Sequence, residues 1–190
     1  MRVLIVYGSI FGQTRKVAEF IAERLRAGSA TVEVAEAAEA PAPAGFDGVI
    51  VASSVRMAAY RPSVVRYVQT HRAVLGGRSA ALVSVSMAAA NLDHPATARR
   101  EAARKELDRT LVSFGQKTGW SPVNVCHVAG ALPYTRYDFI TRWIMKRIAA
   151  GQGHDTDTSR DFEYTDWADV ASFADAFANA ARPTVAHAAG

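Results

Sequence analysis

Cysteine is nearly absent from the sequence, which contains only Cys126 among its 190 residues. A single cysteine excludes a disulfide framework and is typical of a reducing compartment. Long apolar runs are also missing, since none approaches the roughly 20 residues that a membrane-spanning helix needs. The chain opens on Met1-Arg2-Val3-Leu4-Ile5, which is not a signal-peptide pattern. We therefore expect a cytoplasmic protein, and the length predicts one domain.

An excess of charge of either sign is small: 22 lysines and arginines stand against 18 aspartates and glutamates, a net charge of +4. So small an excess identifies no partner by itself. The basic residues form no stacking platform of the kind that nucleic acids require, so we expect no nucleic-acid partner. The five histidines are scattered without metal-ligand spacing, and we predict no metal site.

Short apolar runs alternate along the chain with helical patterns. The run at residues 3–7 is typical of a strand covered on both faces, whereas Val17, Ile21 and Leu25 recur at the spacing of one helical face. Strands that alternate with helices predict an α/β fold with a doubly wound parallel sheet. Five strands are predicted, at residues 3–7, 32–34, 48–52, 80–85 and 123–129.

The chain is longer than five strand–helix units require. Five units use roughly 150 residues, which leaves about 40 over. The surplus lies at 132–165, where the alternating pattern is interrupted between the fifth strand and the last helix. We predict one domain over 1–181 that contains this insertion, followed by a loose Ala-rich tail at 182–190.

A loop rich in glycine and hydroxyl side chains follows the first strand, from Gly8 to Thr14. Backbone N–H groups and hydroxyls there can bind an anion, helped by the positive end of the following helix. No lysine follows Gly12, so the loop is not of the type that binds nucleoside triphosphates, and it lacks the three-glycine dinucleotide fingerprint. Its composition suits a monophosphate. The alternative is a plain turn capped by a serine or threonine.

Two further loops, at 53–62 and 84–95, follow the third and fourth strands. The carboxyl ends of neighbouring parallel strands meet at one edge of the sheet, where ligands bind. Small and hydroxyl residues in both loops allow close approach to a flat ring, with Met57 and Tyr60 flanking it. Three loops that converge on one edge predict a binding pocket.

The segment 7–14 resembles the flavin-mononucleotide phosphate loop of the flavodoxin superfamily. Val55-Arg56 with Tyr60, and residues 128–134, 136–137, 144–146, 155–158 and 163–167, resemble one branch of it, the quinone-linked protoporphyrinogen oxidase family. The resemblance implies a flavodoxin-like five-stranded parallel sheet of order 2-1-3-4-5, with an insertion after or within the fifth strand, and one bound FMN. It implies that six electrons are removed from protoporphyrinogen IX in haem biosynthesis and passed to a membrane quinone, menaquinone or ubiquinone.

The resemblance also implies the residues of the site. The chemistry is placed on the flavin and the catalytic residues are left unknown, with Arg56 and Tyr60 as the expected contacts near the ring. The residues expected to bind FMN are Ser9, Ile10, Phe11, Gly12, Gln13, Thr14, Ser53, Ser54, Val55, Arg56, Ser86 and Met87.

Residues 137–148 of the insertion form a basic amphipathic helix on a helical wheel. Such a helix suits the surface of an anionic membrane, where a quinone would be met, and its cations also suit substrate carboxylates. We therefore expect peripheral association with the inner face of the cell membrane. The alternative is that the apolar arc packs on its own domain or on a second subunit, as in a homo-oligomer. The arc holds Tyr137, Phe139, Ile140, Trp143, Ile144 and Ile148, and the expected substrate or membrane contacts are Arg136, Arg142, Trp143, Lys146 and Arg147.

Two other functions stay open at this point. A flavodoxin-type electron carrier docks basic partners with an acidic rim, and a pI near 9.5 argues against that function. A general FMN-dependent quinone reductase needs no separate nicotinamide fingerprint. A cysteine nucleophile is not expected, because Cys126 and His127 are adjacent on a strand and their side chains point to opposite faces.

Overall fold

The centre of the structure is a parallel sheet of five main strands. The computed structural model describes residues 1–136, 138–152 and 155–181. The strands are β1 (Arg2–Gly8), β2 (Thr31–Glu36), β3 (Gly48–Arg56), β4 (Ala59–Tyr60), β5 (Ser79–Ser86), β6 (Asn124–Ala129), β7 (Ala131–Leu132) and β8 (Phe162–Glu163). The helices are α1 (Gln13–Ala27), α2 (Pro62–Gly76), α3 (Thr97–Thr118), α4 (Phe139–Gln152) and α5 (Trp167–Ala180).

The main strands lie in the order β2-β1-β3-β5-β6, and all neighbouring pairs are parallel. The short β4 is antiparallel to β3 and does not change that order. When the five main strands alone are numbered along the chain, this order is 2-1-3-4-5. The predicted α/β fold and strand order are therefore confirmed. Crossovers that begin in opposite directions from β1 leave the carboxyl ends of β1 and β3 side by side, which is where doubly wound sheets bind ligands.

Helices cover both faces of the sheet, so the inner strands β1, β3 and β5 are mostly buried. Along β1, Val3 and Ile5 point toward α1 and α5, whereas Leu4 and Val6 point toward α2 and α3. All four side chains are fully buried. A strand with two covered faces needs apolar residues at every position, which explains the continuous apolar run in the sequence.

Gly8 ends β1 at a point of close approach to α2. A Cβ atom on Gly8 would lie 2.6 Å from Val64 Cγ2 and 3.0 Å from Arg61 Cβ, both on or beside the start of α2. Real Cβ atoms do not approach other carbons so closely, so any side chain here would displace the strand end or the helix. Glycine at this position therefore fixes where the first loop begins.

The insertion follows β6 and forms a small unit of its own. β7 and β8 pair antiparallel and are joined through α4. Leu132, Tyr134 and Ala149 form its buried cluster, against which Phe11 and Met87 pack. The insertion thus lies beside the first and third loops. The predicted tail at 182–190 and residue Tyr137 lie outside the described residues. Within the described ranges, no helix has the length and hydropathy to cross a membrane.

Candidate functional site

A cavity of about 580 Å³ opens at the carboxyl ends of β1, β3 and β5. Its volume lies within the range of roughly 300–1,000 Å³ that is usual for ligand sites. One residue of the predicted set, Ser53, is instead fully buried, and its Oγ accepts a hydrogen bond from Arg61 N at 3.1 Å. The predicted residues that line the cavity are Ser9, Ile10, Phe11, Gly12, Gln13, Thr14, Ser54, Val55, Arg56, Ser86 and Met87.

The first loop leaves the amino end of α1 open to an anion. Gly12 precedes α1 with a φ of 94°, a left-handed conformation that glycine adopts without strain. Among the described residues, no side chain caps α1, and its first turn holds no acidic residue. The Ser9 hydroxyl instead accepts a hydrogen bond from Gly12 N at 3.0 Å. The first N–H groups of a helix lack partners within it, so an anion here would accept their hydrogen bonds.

Thr14, in the first turn of α1, carries a buried hydroxyl that a phosphate oxygen would satisfy. The residue is 1% exposed, and its Oγ1 has no hydrogen-bond partner in the part of the chain that the structure describes. A buried hydroxyl without a partner costs on the order of 1–3 kcal/mol. Its position in the cavity wall beside an uncapped helix terminus indicates a ligand oxygen. The residues present therefore fit a phosphate group such as that of FMN.

A tight hairpin between β3 and β4 places Arg56 on the cavity wall. Arg56 pairs with Ala59 across the hairpin, and Met57 and Ala58 between them have φ values of 50° and 55°. Two positive φ values are those of a type I′ turn, which favours asparagine and glycine. Other residues keep this conformation only where the surrounding structure holds them there. The turn leaves the Arg56 side chain exposed and Met57 93% exposed.

Tyr60 lies in the core and not among the described residues that line the cavity. Its ring packs on Phe114 of α3, with 4.7 Å between the ring centroids, and its hydroxyl donates a hydrogen bond to Ser84 Oγ at 3.0 Å. Burial raises the pKa of Tyr60, which the hydrogen bond with Ser84 partly offsets. We therefore assign Tyr60 a packing role that anchors β4, in place of the predicted contact with the ring.

The third loop is tied to the segment that follows β6. Ser86 Oγ accepts a hydrogen bond from Ala89 N at 3.2 Å, and the Ser86 carbonyl accepts one from Gly130 N at 3.0 Å. Ser86 is buried, while Met87 lines the cavity and packs against the insertion. The third loop thus connects the sheet edge to the insertion.

The insertion supplies a cavity wall that the sequence reasoning did not predict. The sequence signal for this wall is the pair of segments 155–158 and 163–167. The family resemblance includes both segments, but their spacing alone assigns them no place in a cavity. The additional lining residues are Lys16, Val85, Gly130, Ala131, Pro133, Asp161, Phe162 and Glu163.

Two contacts join this wall to the first loop and α1. Lys16 Nζ lies 2.7 Å from a Glu163 oxygen, and Trp167 Nε1 donates to the other Glu163 oxygen at 2.8 Å. Gln13 Nε2 donates to Thr165 Oγ1 at 2.8 Å. Burial by itself would raise the pKa of Glu163, but hydrogen bonding and the charge of Lys16 outweigh burial and hold that pKa below its usual value. The carboxylate is therefore ionised at neutral pH and keeps the wall attached to α1.

The predicted substrate or membrane contacts whose side chains are described do not line the cavity. Trp143, Lys146 and Arg147 are exposed on α4, and Arg142 is partly buried there. The side chains of Arg136 and Ile148 lie outside what the structure describes. Within the described part, α4 therefore offers an outer surface rather than a lining for the site.

Cys126 and His127 occupy opposite faces of β6, as predicted. Cys126 packs against the α1 and α5 side of the core, and burial raises its thiol pKa to about 11, with a further contribution from the charge of Asp169. Burial lowers the pKa of His127, which Asp108 partly offsets. A thiol with so high a pKa is protonated at neutral pH, so it is a poor nucleophile. Among the described residues, no group of three or more metal-ligating side chains is present.

Comparison with known proteins decides the family. A family model described as a flavodoxin domain matches residues 4–159. The chain belongs to the flavodoxin-domain family. The resemblance predicted from the motifs is thus confirmed, and membership of a flavodoxin family implies a flavin cofactor.

Curated relatives of this flavodoxin-domain protein are similar over most of its length. It is 31% identical over 176 residues to the protoporphyrinogen IX dehydrogenase (quinone) of Escherichia coli K12, a match that covers 92% of this chain and 93% of that protein. It is 29% identical over 181 residues to the protein of the same name from Leishmania major, covering 93% and 74% of the two chains. Both relatives are oxidoreductases by name.

The solved structure of oxidised flavodoxin 2 from Bacillus cereus matches with a TM-score of 0.50 at 18% identity, covering 95% of this chain and 99% of that one. At this identity the match supports the fold alone. It agrees with the parallel sheet described above.

Proposed function

We propose that the protein oxidises protoporphyrinogen IX to protoporphyrin IX, with FMN as cofactor and a membrane quinone, menaquinone or ubiquinone, as acceptor. The observation that carries the proposal is the 31% identity, over 92% of the chain, to a dehydrogenase of that name. The orphaned Thr14 hydroxyl at the open end of α1 supports a phosphate-bearing cofactor in the same chain. When bound, FMN supplies the ring that takes up reducing equivalents.

The chain's own residues bind the cofactor and shield it from water. The N–H groups at the start of α1 and the Thr14 hydroxyl would hold the phosphate. Ser54 and Ser86 of the second and third loops and Phe162 of the insertion line the same cavity and would contact the rest of the cofactor. No side chain is assigned as a general base.

The overall reaction sets the ratio of substrate to acceptor. Conversion of protoporphyrinogen IX to protoporphyrin IX releases six electrons and six protons. A quinone takes up two of each when it becomes a quinol, so one tetrapyrrole consumes three quinones. An electron carrier would show no such fixed ratio, because it does not bind the tetrapyrrole.

The exposed face of α4 supports contact with an anionic membrane. Phe139, Ile140, Trp143 and Ile144 are 84%, 68%, 56% and 43% exposed, so a large part of the apolar surface of these four side chains is open to solvent. The Arg147 guanidinium lies 5.2 Å from the centre of the Trp143 ring, which places a cation beside the apolar face. Apolar side chains flanked by cations are the composition of helices that lie in the surface of anionic bilayers. Such a position brings the protein to the membrane that holds its quinone.

Loss of the two exposed cations of α4 is expected to weaken vesicle binding. Each lysine or arginine near an anionic surface contributes about 1 kcal/mol, so Lys146→Gln with Arg147→Gln should reduce partitioning roughly tenfold to thirtyfold. The measurement is co-sedimentation with vesicles of phosphatidylglycerol and phosphatidylcholine. The control is Arg104→Gln with Lys105→Gln, which removes the same charge from exposed positions on α3.

If both double variants lost vesicle binding equally, the loss would be due to net charge alone. That result would contradict a docking role for α4. Absence of vesicle binding, together with a dimer in sedimentation that Trp143→Ala dissociates, would instead make the apolar face a contact between two copies of the chain.

Steady-state turnover distinguishes the three candidate functions. Under anaerobic conditions we expect FMN-loaded protein to form protoporphyrin IX from protoporphyrinogen IX and quinone, and to show no comparable quinone reduction with NADPH as donor. Rapid NADPH oxidation without tetrapyrrole turnover would favour the quinone reductase. Lack of turnover with either donor, combined with rapid electron exchange with a redox protein, would favour the electron carrier.

A further inference from the structure

The charged side chains that line the cavity are not equally engaged. Among the described lining residues, the acidic ones are Asp161 and Glu163 and the basic ones are Lys16 and Arg56. Lys16 and Glu163 neutralise each other at 2.7 Å. Asp161 Oδ1 accepts hydrogen bonds from the N–H and the hydroxyl of Thr135, both at 2.9 Å. Arg56 has neither an ion pair nor a hydrogen bond to the described residues, so its charge is available to a ligand.

The charge of Arg56 is not needed to bind the phosphate, because the first loop has its own donors. The first loop provides helix N–H groups and the Thr14 hydroxyl for the phosphate, and these donors follow β1. Arg56 lies on the neighbouring strand β3, at its last residue, and its side chain is exposed. The cavity therefore has a phosphate site in its first loop and a separate cation on its solvent side.

The hairpin fixes the backbone that carries this cation. Pairing of Val55 with Tyr60 and of Arg56 with Ala59 fixes the backbone on both sides of the turn. Tyr60 anchors the returning strand through its buried hydrogen bond to Ser84. A cation on an anchored hairpin loses less conformational freedom on binding than one on a mobile loop.

We infer that Arg56 binds a carboxylate of the tetrapyrrole and so selects substrates that carry one. The inference rests on the proposed function. A guanidinium can donate two parallel hydrogen bonds to a carboxylate, an arrangement that lysine cannot reproduce. Protoporphyrinogen IX carries two propionate carboxylates beside an apolar macrocycle. Met57, next to Arg56 and 93% exposed, offers a polarizable apolar side chain for contact with that macrocycle. This assignment differs from the sequence analysis, in which the cations of the insertion suit the substrate carboxylates.

Arg56→Gln tests the inference with two forms of the substrate. We expect its KM for protoporphyrinogen IX to rise about tenfold to hundredfold, the range of a lost hydrogen bond to a charged group. The dimethyl ester of the substrate has no carboxylate. For this ester, Arg56→Gln and the unmodified protein should have the same KM. Arg56→Lys should recover part of the loss. FMN affinity should not change, and Arg66→Gln, an exposed arginine on α2 outside the cavity lining, should alter neither KM.

Three results would overturn the inference. Equal rises in KM for acid and ester would place Arg56 in the support of the flavin ring or the fold. A weaker FMN affinity in Arg56→Gln would place it on the phosphate. No change in either KM would leave Arg56 without a role in binding.

Binding of protoporphyrin IX separates this inference from the proposed function, because it needs no turnover. Quenching of the tetrapyrrole fluorescence reports that binding. If the protein binds the acid through Arg56 but does not oxidise the reduced form, the carboxylate site stands and the proposed reaction fails. If turnover occurs and Arg56→Gln binds acid and ester as the unmodified protein does, the reaction stands and this inference fails.

Discussion

Thr14→Val is expected to weaken FMN binding about tenfold to hundredfold and, at the same time, to stabilise the FMN-free protein. Valine keeps the branched shape of threonine but removes the hydroxyl. In the proposed complex with FMN the hydroxyl would donate to a charged phosphate oxygen, an interaction worth roughly 1.5–3 kcal/mol. Without FMN the same buried hydroxyl has no partner among the described residues, so its removal should raise the free energy of unfolding by about 1 kcal/mol.

Thr118→Val is the matched control for this opposite pair of effects. Thr118 is 2% exposed and is also on a helix, but its Oγ1 donates to the Phe114 carbonyl at 2.8 Å and accepts from Trp120 N at 3.2 Å. Loss of the Thr118 hydroxyl should lower the free energy of unfolding and leave FMN affinity unchanged. Fluorescence titration gives the affinity, and denaturant unfolding of the FMN-free forms gives the stability. Unchanged FMN affinity in Thr14→Val would contradict the assignment of the phosphate site to the first loop.

Gly8→Ala is expected to lower the free energy of unfolding by about 1–3 kcal/mol, as overpacking of a close contact does. The added methyl would lie 2.6 Å from Val64 Cγ2. Relief of that clash moves either the end of β1 or the start of α2. Because the first loop begins directly after Gly8, we also expect weaker FMN binding, measured by the same titration.

The cause can be tested by making room for the methyl group. In a Val64→Ala background the Gly8→Ala substitution should cost clearly less, although the contact with Arg61 Cβ at 3.0 Å remains, so the two changes should be non-additive. Gly76→Ala is the control, because a Cβ on that helical glycine meets nothing within 4 Å. It should be neutral or slightly stabilising. Additive effects of Gly8→Ala and Val64→Ala would mean that the contact does not determine the cost.

The parts of the fold that sequence reasoning predicted are those with local signals. The inner strands β1, β3 and β5 contain short apolar runs, because both faces of a parallel sheet are covered there. The first loop is recognisable because glycine and hydroxyl residues stand between a strand and a helix. Its position in the sheet follows from the fold class alone. The sequence therefore predicts all the residues of that loop as one group. Only the structure shows that the Thr14 hydroxyl has no hydrogen-bond partner among the described residues.

The insertion wall depends on contacts that no local pattern reveals. Gln13 and Thr165 are 152 residues apart in the chain, and Lys16 and Glu163 are 147 apart. Spacing rules describe neighbours on one helix or strand, so they have no information about such pairs. This is why the sequence located the insertion but not its place over the cavity.

The second loop differed from expectation because of its turn. Met57 and Ala58 have neither the asparagine nor the glycine that identifies a type I′ turn in a sequence. The hairpin that they form returns the chain at once and directs Tyr60 into the core beside Phe114. Arg56, on the other strand of the hairpin, stays exposed at the cavity. Tyr60 therefore packs in the core while Arg56 lines the cavity, although the sequence predicts a contact near the ring for both.

The central claim is that the tetrapyrrole reduces the flavin in this cavity and that quinone reoxidises it. Its most direct test is an anaerobic titration of FMN-loaded protein with protoporphyrinogen IX before any quinone is added. We expect the visible absorbance of oxidised flavin to fall on addition of the tetrapyrrole and to return on addition of quinone, with three quinones consumed for each protoporphyrin IX formed at completion. Absorbance that stays constant when the tetrapyrrole is added, or that falls but does not return with quinone, would contradict the account.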